Sequence, residues 1–504
     1  MSLAILSARF GCSAHPSFRR ASTMFSPGPR MAEAVIDLLS VGRGSIMAPA
    51  GCGKTELIKS ALCMHDARKP VLILTHTNAG VAALRSRLER AYVSPNAYRL
   101  ATIDGWAMRT IGKFPRRSGH DPKILLLDSP QQDYPAIRDA AWRLLHSNHL
   151  DDVIASSYAR VIVDEYQDCS LPQHYIVEGL ARLLPTCVLG DPLQAIFGFA
   201  GPLVHWERDV LTSFPSAGAL GTPWRWKNAD TELFGNWLLQ IRDGLMAGEP
   251  VDLRRAPPHV QWIQTGLADD HRVRLAAAQT ASPVPQGRVL VIGDARNPRG
   301  QRDLASQTPG AITVEAVDLR DLMTFGRDFA LESPQVFETL VSFASTVMTN
   351  LGAAEIRRRF DSLRRGTARN APTPAEQEAL GFADKPSFGG AARLLETWAA
   401  EPNVRSHRPA ILYAAIKALR LAASGTCDLT QAVVRTREES RFKGRPLPRR
   451  AVGSTLLLKG LEAEVAVILD AMTLNAANLY VAMTRGSMRL VVCSPTPILK
   501  PARP

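Results

Sequence analysis

The sequence predicts an α/β fold in which parallel sheets are flanked by helices. Val41–Met47 is short and partly apolar, a Gly-rich turn follows it, and a helical pattern opens at Thr55. A second apolar run, Ala159–Val163, ends in two acids, which is typical of a buried parallel strand. The chain has 504 residues, enough for two to four domains of ordinary size.

The turn before the first helix predicts a phosphate-binding loop. Residues 48–55 read A-P-A-G-C-G-K-T. Gly51 and Gly53 let backbone N–H groups turn toward phosphates, Lys54 reaches them as a point charge, and Thr55 places a hydroxyl on Mg²⁺. The alternative for this block alone is a chance Gly-Lys-Thr turn. The predicted nucleotide-binding residues of the loop are Ala50, Gly51, Cys52, Gly53, Lys54, Thr55 and Glu56.

Two acids at the end of the second apolar run predict the hydrolytic chemistry. Asp164 at the strand tip would hold the magnesium ion, as Thr55 would. Glu165 would accept a proton from the attacking water. The alternative is an ordinary acidic turn between a strand and a loop.

Further blocks follow in a fixed order. They are V-I-V-D-E-Y-Q-D (161–168), L-G-D-P-L-Q (189–194), P-W-R (223–225), L-L-K-G-L-E (457–462) and Y-V-A-M-T-R (480–485). With this ordered set, the chain resembles the UvrD/Rep family of superfamily-1 DNA helicases from about residue 31 to residue 494. L-T-H-T-N-A-G (74–80) and G-D-P-L-Q-A-I-F-G-F (190–199) resemble further blocks of that family.

The resemblance implies two RecA-like P-loop motor domains with parallel sheets, each interrupted by a mainly helical insertion. It also implies ATP, Mg²⁺ and movement on single-stranded or partly duplex DNA, 3′ to 5′. Gln194 would sense the γ-phosphate, Arg225 and Arg485 would contact it from the second domain, and Glu462 would bind the ribose. The implied DNA contacts are Thr75, Asn78 and Thr102 on the backbone, and His76, Trp106 and Phe199 on the bases.

The chain departs from the family pattern at several positions. No glutamine precedes Gln131, so the glutamine that reads adenine is missing, and Glu56 stands where many members carry an arginine. These two departures put a strict preference for ATP in doubt. Asp104 replaces a usual histidine, Ala200 replaces an arginine, and Leu456 stands in place of a histidine.

A narrower resemblance rests on D-G-W (104–106), D-E-Y-Q-D and G-D-P. These blocks resemble the compact helicase-like subunit of Gabija anti-phage systems, which partners an OLD-type nuclease. Few residues follow Arg485, so we expect a separate nuclease subunit to perform any DNA cutting. DNA repair is the other biological role that fits. Two other classes stay open: a DNA-stimulated NTPase that licenses a nuclease without unwinding, and a binding module that no longer hydrolyses nucleotide.

The predicted organisation has four parts. Residues 1–30 form a disordered tail, a segment ahead of the true start codon, or a transit peptide. Residues 31–220 form the first motor domain, with a small helical insertion at about 108–155; residues 221–324 and 451–504 form the second, and 325–450 a helical insertion. Candidate strands are 71–75, 161–164, 186–190, 219–222, 260–264, 288–292, 311–317, 456–458, 465–469 and 490–493.

The composition favours a polyanionic partner. The chain carries 60 basic and 47 acidic residues, a formal net charge of +13; a drift in genome composition is the alternative. Basic clusters at 357–365 and 441–450 would contact DNA or a protein, or form solvated surface. Seven scattered cysteines suit a reducing compartment. No apolar run is long enough to span a membrane, so we expect a cytoplasmic protein.

Overall fold

A computed structural model describes residues 36–66, 68–198, 201–266, 268–316, 318–442 and 448–503. It contains two six-stranded sheets in which every neighbouring pair of strands is parallel. The predicted α/β class with two RecA-like parallel sheets is therefore confirmed. The tail predicted at residues 1–30 lies outside the described residues.

The first sheet is built from short, almost continuously apolar strands. Its strands are β1 (Arg43–Met47), β2 (Val71–Thr75), β3 (Tyr98–Thr102), β4 (Arg160–Val163), β5 (Thr186–Gly190) and β6 (Ser216–Ala219). They are arranged in the order β3-β2-β4-β5-β1-β6. Every residue of β2, β4 and β5 is buried, because helices cover both faces of a parallel sheet.

Helices connect these strands. They are α1 (Lys54–Met64), α2 (Asn78–Arg90), α3 (Ile103–Lys113), α4 (Pro115–Ser118), α5 (Pro130–His146), α6 (Asp151–Ser157), α7 (Leu171–Ala181) and α8 (Leu211–Ser213). Short 3₁₀ turns at Pro122–Leu126, Tyr166–Asp168 and Pro192–Gln194 and a π-helical turn at Trp206–Val210 complete this part. Helices α3 to α6 lie between β3 and β4.

The second sheet is assembled from two separated stretches of chain. The first stretch contains α9 (Trp224–Lys227), α10 (Glu232–Ala247), β7 (Val251–Asp252), β8 (Val260–Gln264), α11 (Asp270–Ala278), β9 (Val289–Ile292), α12 (Pro298–Gln307) and β10 (Ala311–Thr313). A 3₁₀ turn at Leu253–Arg255 separates β7 from β8.

A helical region then interrupts this sheet. Its elements are α13 (Arg320–Asp328), α14 (Val336–Val347), β11 (Met348–Thr349), α15 (Ala353–Arg364), α16 (Pro374–Asp384), α17 (Phe388–Ala400), β12 (Arg405–Ser406), α18 (Pro409–Ala423) and α19 (Leu429–Phe442). These helices share a hydrophobic core of their own, in which Leu340, Leu395 and Leu419 are fully buried. Strands β11 and β12 form a small antiparallel pair.

The chain returns to the second sheet after α19. The returning elements are β13 (Arg450–Gly453), β14 (Ala463–Ile468), a 3₁₀ turn (Ala471–Thr473), α20 (Ala476–Met483), β15 (Gly486–Ser494) and β16 (Ile498–Leu499). The strand order is β10-β13-β9-β14-β15-β8, while β16 pairs with β7. No helix in the described part of the chain is long and apolar enough to cross a bilayer.

Some strand predictions were wrong. Residues 456–458 form a turn, and the strand lies earlier, at β13, because Leu458 instead fills the hydrophobic core beside that sheet. Strand β6 ends at Ala219, where the prediction placed its start. Strand β3 was not predicted, because its exposed Arg99 breaks the apolar run.

Candidate nucleotide and nucleic-acid site

The predicted phosphate loop lies between β1 and α1, and its two central glycines have left-handed backbone angles. The φ angles are +70° at Gly51 and +89° at Gly53. A Cβ atom on Gly51 would lie 2.5 Å from the Trp226 ring. Ala50, which precedes Gly51, and Cys52, which lies between the two glycines, are buried. Glycine is therefore required at both positions, by the backbone angle and, at Gly51, by close packing.

Lys54 begins α1 and meets both predicted acids. Its Nζ lies 3.0 Å from Asp164 Oδ1 and forms a second ion pair with Glu165. Burial opposes the charge of Lys54, but the two carboxylates outweigh it and raise its pKa. Burial also opposes the charge of Glu165, yet Lys54 and Lys459 lower its pKa to about 2. Glu165 is therefore ionised at neutral pH and can accept a proton.

The backbone of Glu165 is in an unfavourable conformation. Its φ is +56°, in the left-handed region that residues other than glycine rarely adopt. Its N–H donates to Asp164 Oδ1 (2.9 Å), and the Gln167 amide donates to Glu165 Oε2 (2.6 Å). These hydrogen bonds fix the carboxylate beside Lys54, and local strain of this kind is common at functional sites.

The oxygen atoms around this loop fit a magnesium ion. The Thr55 hydroxyl and the Asp164 carboxylate are hard oxygen donors of the type that Mg²⁺ prefers. The Thr55 hydroxyl also accepts a hydrogen bond from Arg87 Nη1 (2.8 Å) on α2. Glu56 points elsewhere, because its largely exposed side chain pairs with Lys59.

Arg225 and Glu462, two of the residues predicted to complete the nucleotide site, lie against each other near the loop. The Arg225 backbone N–H donates to the Gly51 carbonyl (3.0 Å). Its guanidinium donates to Glu462 Oε1 (2.6 Å), which also accepts from Arg87 (3.3 Å). The structure therefore brings the phosphate loop, the P-W-R block and the L-L-K-G-L-E block into one cluster.

Arg485 is also near this cluster, but it is deeply buried. Its Nε donates to the Val481 carbonyl (2.8 Å) and its Nη1 to the Leu461 carbonyl (3.3 Å). Burial and the neighbouring Arg225 lower the pKa of Arg485 to about 10. The guanidinium remains charged at neutral pH, and the backbone carbonyls fix its orientation.

Gln194 contacts Lys459, which lies in the turn between β13 and β14. The side-chain amide of Gln194 donates to Asp191 Oδ2 (3.0 Å), and its backbone carbonyl accepts from Lys459 Nζ (2.5 Å). Lys459 also forms an ion pair with Asp168, and both side chains are at least nine-tenths buried. Burial raises the pKa of Asp168 to about 6 despite this pair.

A second buried ion pair crosses between the two parts. Arg242 on α10 donates to Asp191 Oδ1 through Nε (3.2 Å) and Nη2 (2.8 Å). The sequence motifs pointed to neither Arg242 nor Arg87, since both lie in ordinary helical patterns. Lys459 stands inside the L-L-K-G-L-E block, which was the one available signal for it.

The residues predicted to hold the DNA backbone lie near one edge of the first sheet. Thr75 and Thr102 are opposite each other at the carboxyl ends of β2 and β3. Asn78 begins α2 close by. The Thr75 side chain is buried, and the Thr102 hydroxyl accepts from the Gly105 N–H (2.9 Å). His76 is half-buried, with its ring centroid 5.3 Å from that of Phe197.

The structure contradicts the prediction that Trp106 stacks on bases. Trp106 is only 3% exposed and belongs to the core between α3 and α5, whereas stacking needs an open ring face. Asp104, two residues earlier, accepts two hydrogen bonds of 2.7 Å from Arg138 and one of 3.0 Å from Gln173. Phe199 lies outside the described residues.

Comparisons with known proteins agree with part of this description. Residues 130–206, which include Asp164, Glu165 and Gln194, match the model of the UvrD/REP helicase N-terminal domain. A search of curated proteins finds no match.

Two solved structures are similar to the chain over 90% of its length. The arterivirus nonstructural protein 10 helicase, in complex with DNA, is 10% identical, with a TM-score of 0.33 and 61% of that chain covered. The Pif1 helicase from Candida albicans is 12% identical, with a TM-score of 0.37 and 92% of that chain covered. The present chain thus spans about three fifths of the length of the first.

Proposed function

We propose that the chain hydrolyses ATP with Mg²⁺ and uses this cycle to move along single-stranded DNA as a 3′ to 5′ helicase or translocase. One observation carries the proposal: Lys54 at the start of α1 and Glu165 after β4 lie in a cluster with Arg225, Glu462 and Arg485. We call the parts of the chain around the first and second sheets the two lobes. A phosphate site in one lobe that is completed by arginines from the other couples hydrolysis to closure of the lobes.

Each residue has a definite role in this proposal. Lys54 binds the phosphates, while Thr55 and Asp164 hold Mg²⁺, which supplies positive charge against the phosphate oxygens. Glu165, held by Gln167, accepts the proton of the attacking water. Arg225 and Arg485 stabilise the negative charge that develops on the phosphate.

Closure of the lobes would be transmitted through Gln194 and Lys459. The ion pair of Lys459 with Asp168, three residues after Glu165, supports this route. The edge that contains Thr75 and Thr102 is the proposed track for the DNA backbone. The match of residues 130–206 to a helicase domain supports DNA as the partner. DNA repair and anti-phage defence are both proposed settings.

The test is nucleotide hydrolysis by the purified chain, with and without single-stranded DNA, beside Glu165→Gln. We expect DNA-stimulated turnover that falls by about 100-fold or more in the variant, since general-base catalysis contributes that much. Turnover that survives in Glu165→Gln would contradict the assignment. Parallel assays with GTP and CTP would show whether the departures at Glu56 and upstream of Gln131 relax the preference for ATP.

A second candidate function is a DNA-stimulated NTPase that licenses a separate nuclease without unwinding. The observation that favours it is the burial of Trp106 and the ion pair of Asp104, which take two residues of one DNA block away from DNA. A strand-displacement assay separates the two candidates. Stimulated turnover without displacement of the second strand would favour this one.

A further inference from the structure

Five exposed basic residues are concentrated in a short stretch of the first part of the chain. Lys113 lies in the last turn of α3, Arg116 and Arg117 lie in α4, and Lys123 lies in the 3₁₀ turn that follows. Arg109 is exposed one turn before Lys113. We call these five residues the α3–α4 basic strip. The sequence motifs did not single it out.

In contrast to neighbouring basic side chains, those of the strip have no acidic partner among the described residues. On α5, Arg138 pairs with Asp104 and Arg143 with Asp139. Within the strip, Arg117 donates to the His149 carbonyl (2.8 Å). The positive charge of the strip is therefore not neutralised internally.

The basic clusters that the sequence suggested are different. In the first cluster, three arginines are neutralised by glutamates: Arg357 by Glu338, Arg358 by Glu355 and Arg359 by Glu376. Most of the second cluster lies outside the described side chains. The charge surplus of the chain is thus better placed to act at the strip than at residues 357–359.

The strip is joined to the edge proposed to hold DNA. Helix α3 starts directly after Thr102, and its 11 residues extend about 16 Å from that edge. The bidentate ion pair between Asp104 and Arg138 anchors the start of α3 to α5. The buried Trp106 and Ile111 pack its inner face into the core. Arg109 and Lys113, which lie on α3, are therefore carried on a rigid support.

We propose that the α3–α4 basic strip binds the phosphate backbone of a nucleic acid whose neighbouring nucleotides lie at the Thr75–Thr102 edge. A group of exposed basic side chains without acidic partners among the described residues fits phosphates, which repeat along a strand and need no base-specific contact. The inference rests on the proposed function in taking DNA as the partner and the Thr75–Thr102 edge as its track. It requires no hydrolysis.

The test is the salt dependence of binding to a DNA hairpin with a single-stranded 3′ extension, measured by fluorescence anisotropy without nucleotide. The variant combines Arg109→Gln, Lys113→Gln, Arg116→Gln and Lys123→Gln, and leaves Arg117 in place. Each phosphate contact that is lost should lower the slope of log K against log salt by about 0.9. We expect a total fall of about 2 to 4 in the magnitude of the slope.

A matched control removes the same number of charges elsewhere. It combines Arg320→Gln, Arg327→Gln, Arg393→Gln and Arg420→Gln, whose side chains are exposed and paired with acids. A slope that falls in the strip variant by at least about 1 more than in the control supports the proposal. Any smaller difference overturns it, as does failure of the wild-type chain to bind the hairpin. Circular dichroism of both variants verifies that they fold.

The two proposals fail in different ways. The same titration on a Lys54→Ala background isolates binding from turnover. A chain that shows the slope difference but no hydrolysis refutes the motor and keeps the strip. A chain with DNA-stimulated hydrolysis and equal slopes refutes the strip and keeps the motor.

Discussion

The cleft between the two sheets and the seam between the second sheet and the helical region use the same chemistry differently. In the cleft, Lys459 pairs with Asp168 and Arg242 with Asp191. At the seam, Arg408 donates to Glu315 (2.6 and 3.0 Å) and to Asp321 (2.5 Å). Both regions therefore contain arginine or lysine paired with carboxylates away from solvent.

The surroundings of the ion pairs distinguish the two regions. At the seam, Arg405 on β12 donates to the carbonyls of Ala311 (2.6 Å), Ala305 (3.0 Å) and Ser306 (3.0 Å), so it joins the helical region directly to α12 and β10. In the cleft, the ion pairs adjoin Glu165 and Gln194, which we assign to chemistry. We infer that the seam is a fixed joint and that the cleft is the moving one.

The largest expected effect is at the cleft. Lys54→Ala should reduce hydrolysis by about 100-fold or more, because the phosphates lose their buried cation, while DNA binding stays largely intact. Steady-state turnover and anisotropy measure the two properties separately. Lys59→Ala on the same helix is the control, since Lys59 pairs with the exposed Glu56. Loss of DNA binding together with turnover would argue against separate sites.

The next effect concerns the seam. Arg408→Met leaves Glu315 buried without its partner, and removing one member of such a pair costs about 3–5 kcal/mol. Chemical denaturation should show this loss, with the helical region unfolding first. Arg393→Met is the control, because its exposed pair with Glu378 contributes under about 1 kcal/mol. Equal losses in both variants would refute the idea of a fixed joint.

The seam should also weaken in acid. Burial and the charges of Arg408, Arg405 and Arg302 lower the pKa of His407 to about 4. Because its pKa is lower in the folded chain, His407 binds protons more readily when the chain is unfolded. The contribution of neutral His407 to the free energy of unfolding is fully present above about pH 6.5 and is lost as the pH falls toward 4, by about 3 kcal/mol in total. Melting temperatures across this range should fall less steeply in His407→Gln; parallel curves would exclude this role.

The smallest effect is expected for Arg242→Lys in the cleft. Lysine keeps the charge beside Asp191 but cannot reproduce the two guanidinium hydrogen bonds, so the variant should lose about 1 kcal/mol. Arg242→Met should lose clearly more, because it leaves Asp191 buried and unpaired. Denaturation of the two variants side by side measures the difference. An Arg242→Lys loss as large as that of Arg242→Met would mean that geometry, not charge, dominates.

Much of the fold was predictable because buried parallel strands have nearly continuous apolar sequences. β2 and β5 lie where the sequence placed them, and every residue of both strands is buried. Leu456–Leu458 is equally apolar but turns into a core, and periodicity in three residues cannot distinguish a strand from a buried turn.

The site was predictable only where function constrains local sequence. Gly51 and Lys54 lie in one short motif, and Asp164 and Glu165 lie in another. The structure brings Lys54 of the first motif against both acids of the second. The partnership of Arg87 with Thr55, and that of Arg242 with Asp191, join helices to distant segments and leave no local pattern. Trp106 was misjudged because sequence does not show which face of α3 is covered.

The left-handed backbone of Glu165 has a consequence for how such a chain can decay. A non-glycine residue at this φ costs of order 1 kcal/mol or more. Glycine at position 165 would relieve that strain while removing the proton acceptor. Selection for folding alone would then favour the loss of chemistry, and an inactive descendant would keep its shape. Only continued demand for turnover retains the glutamate.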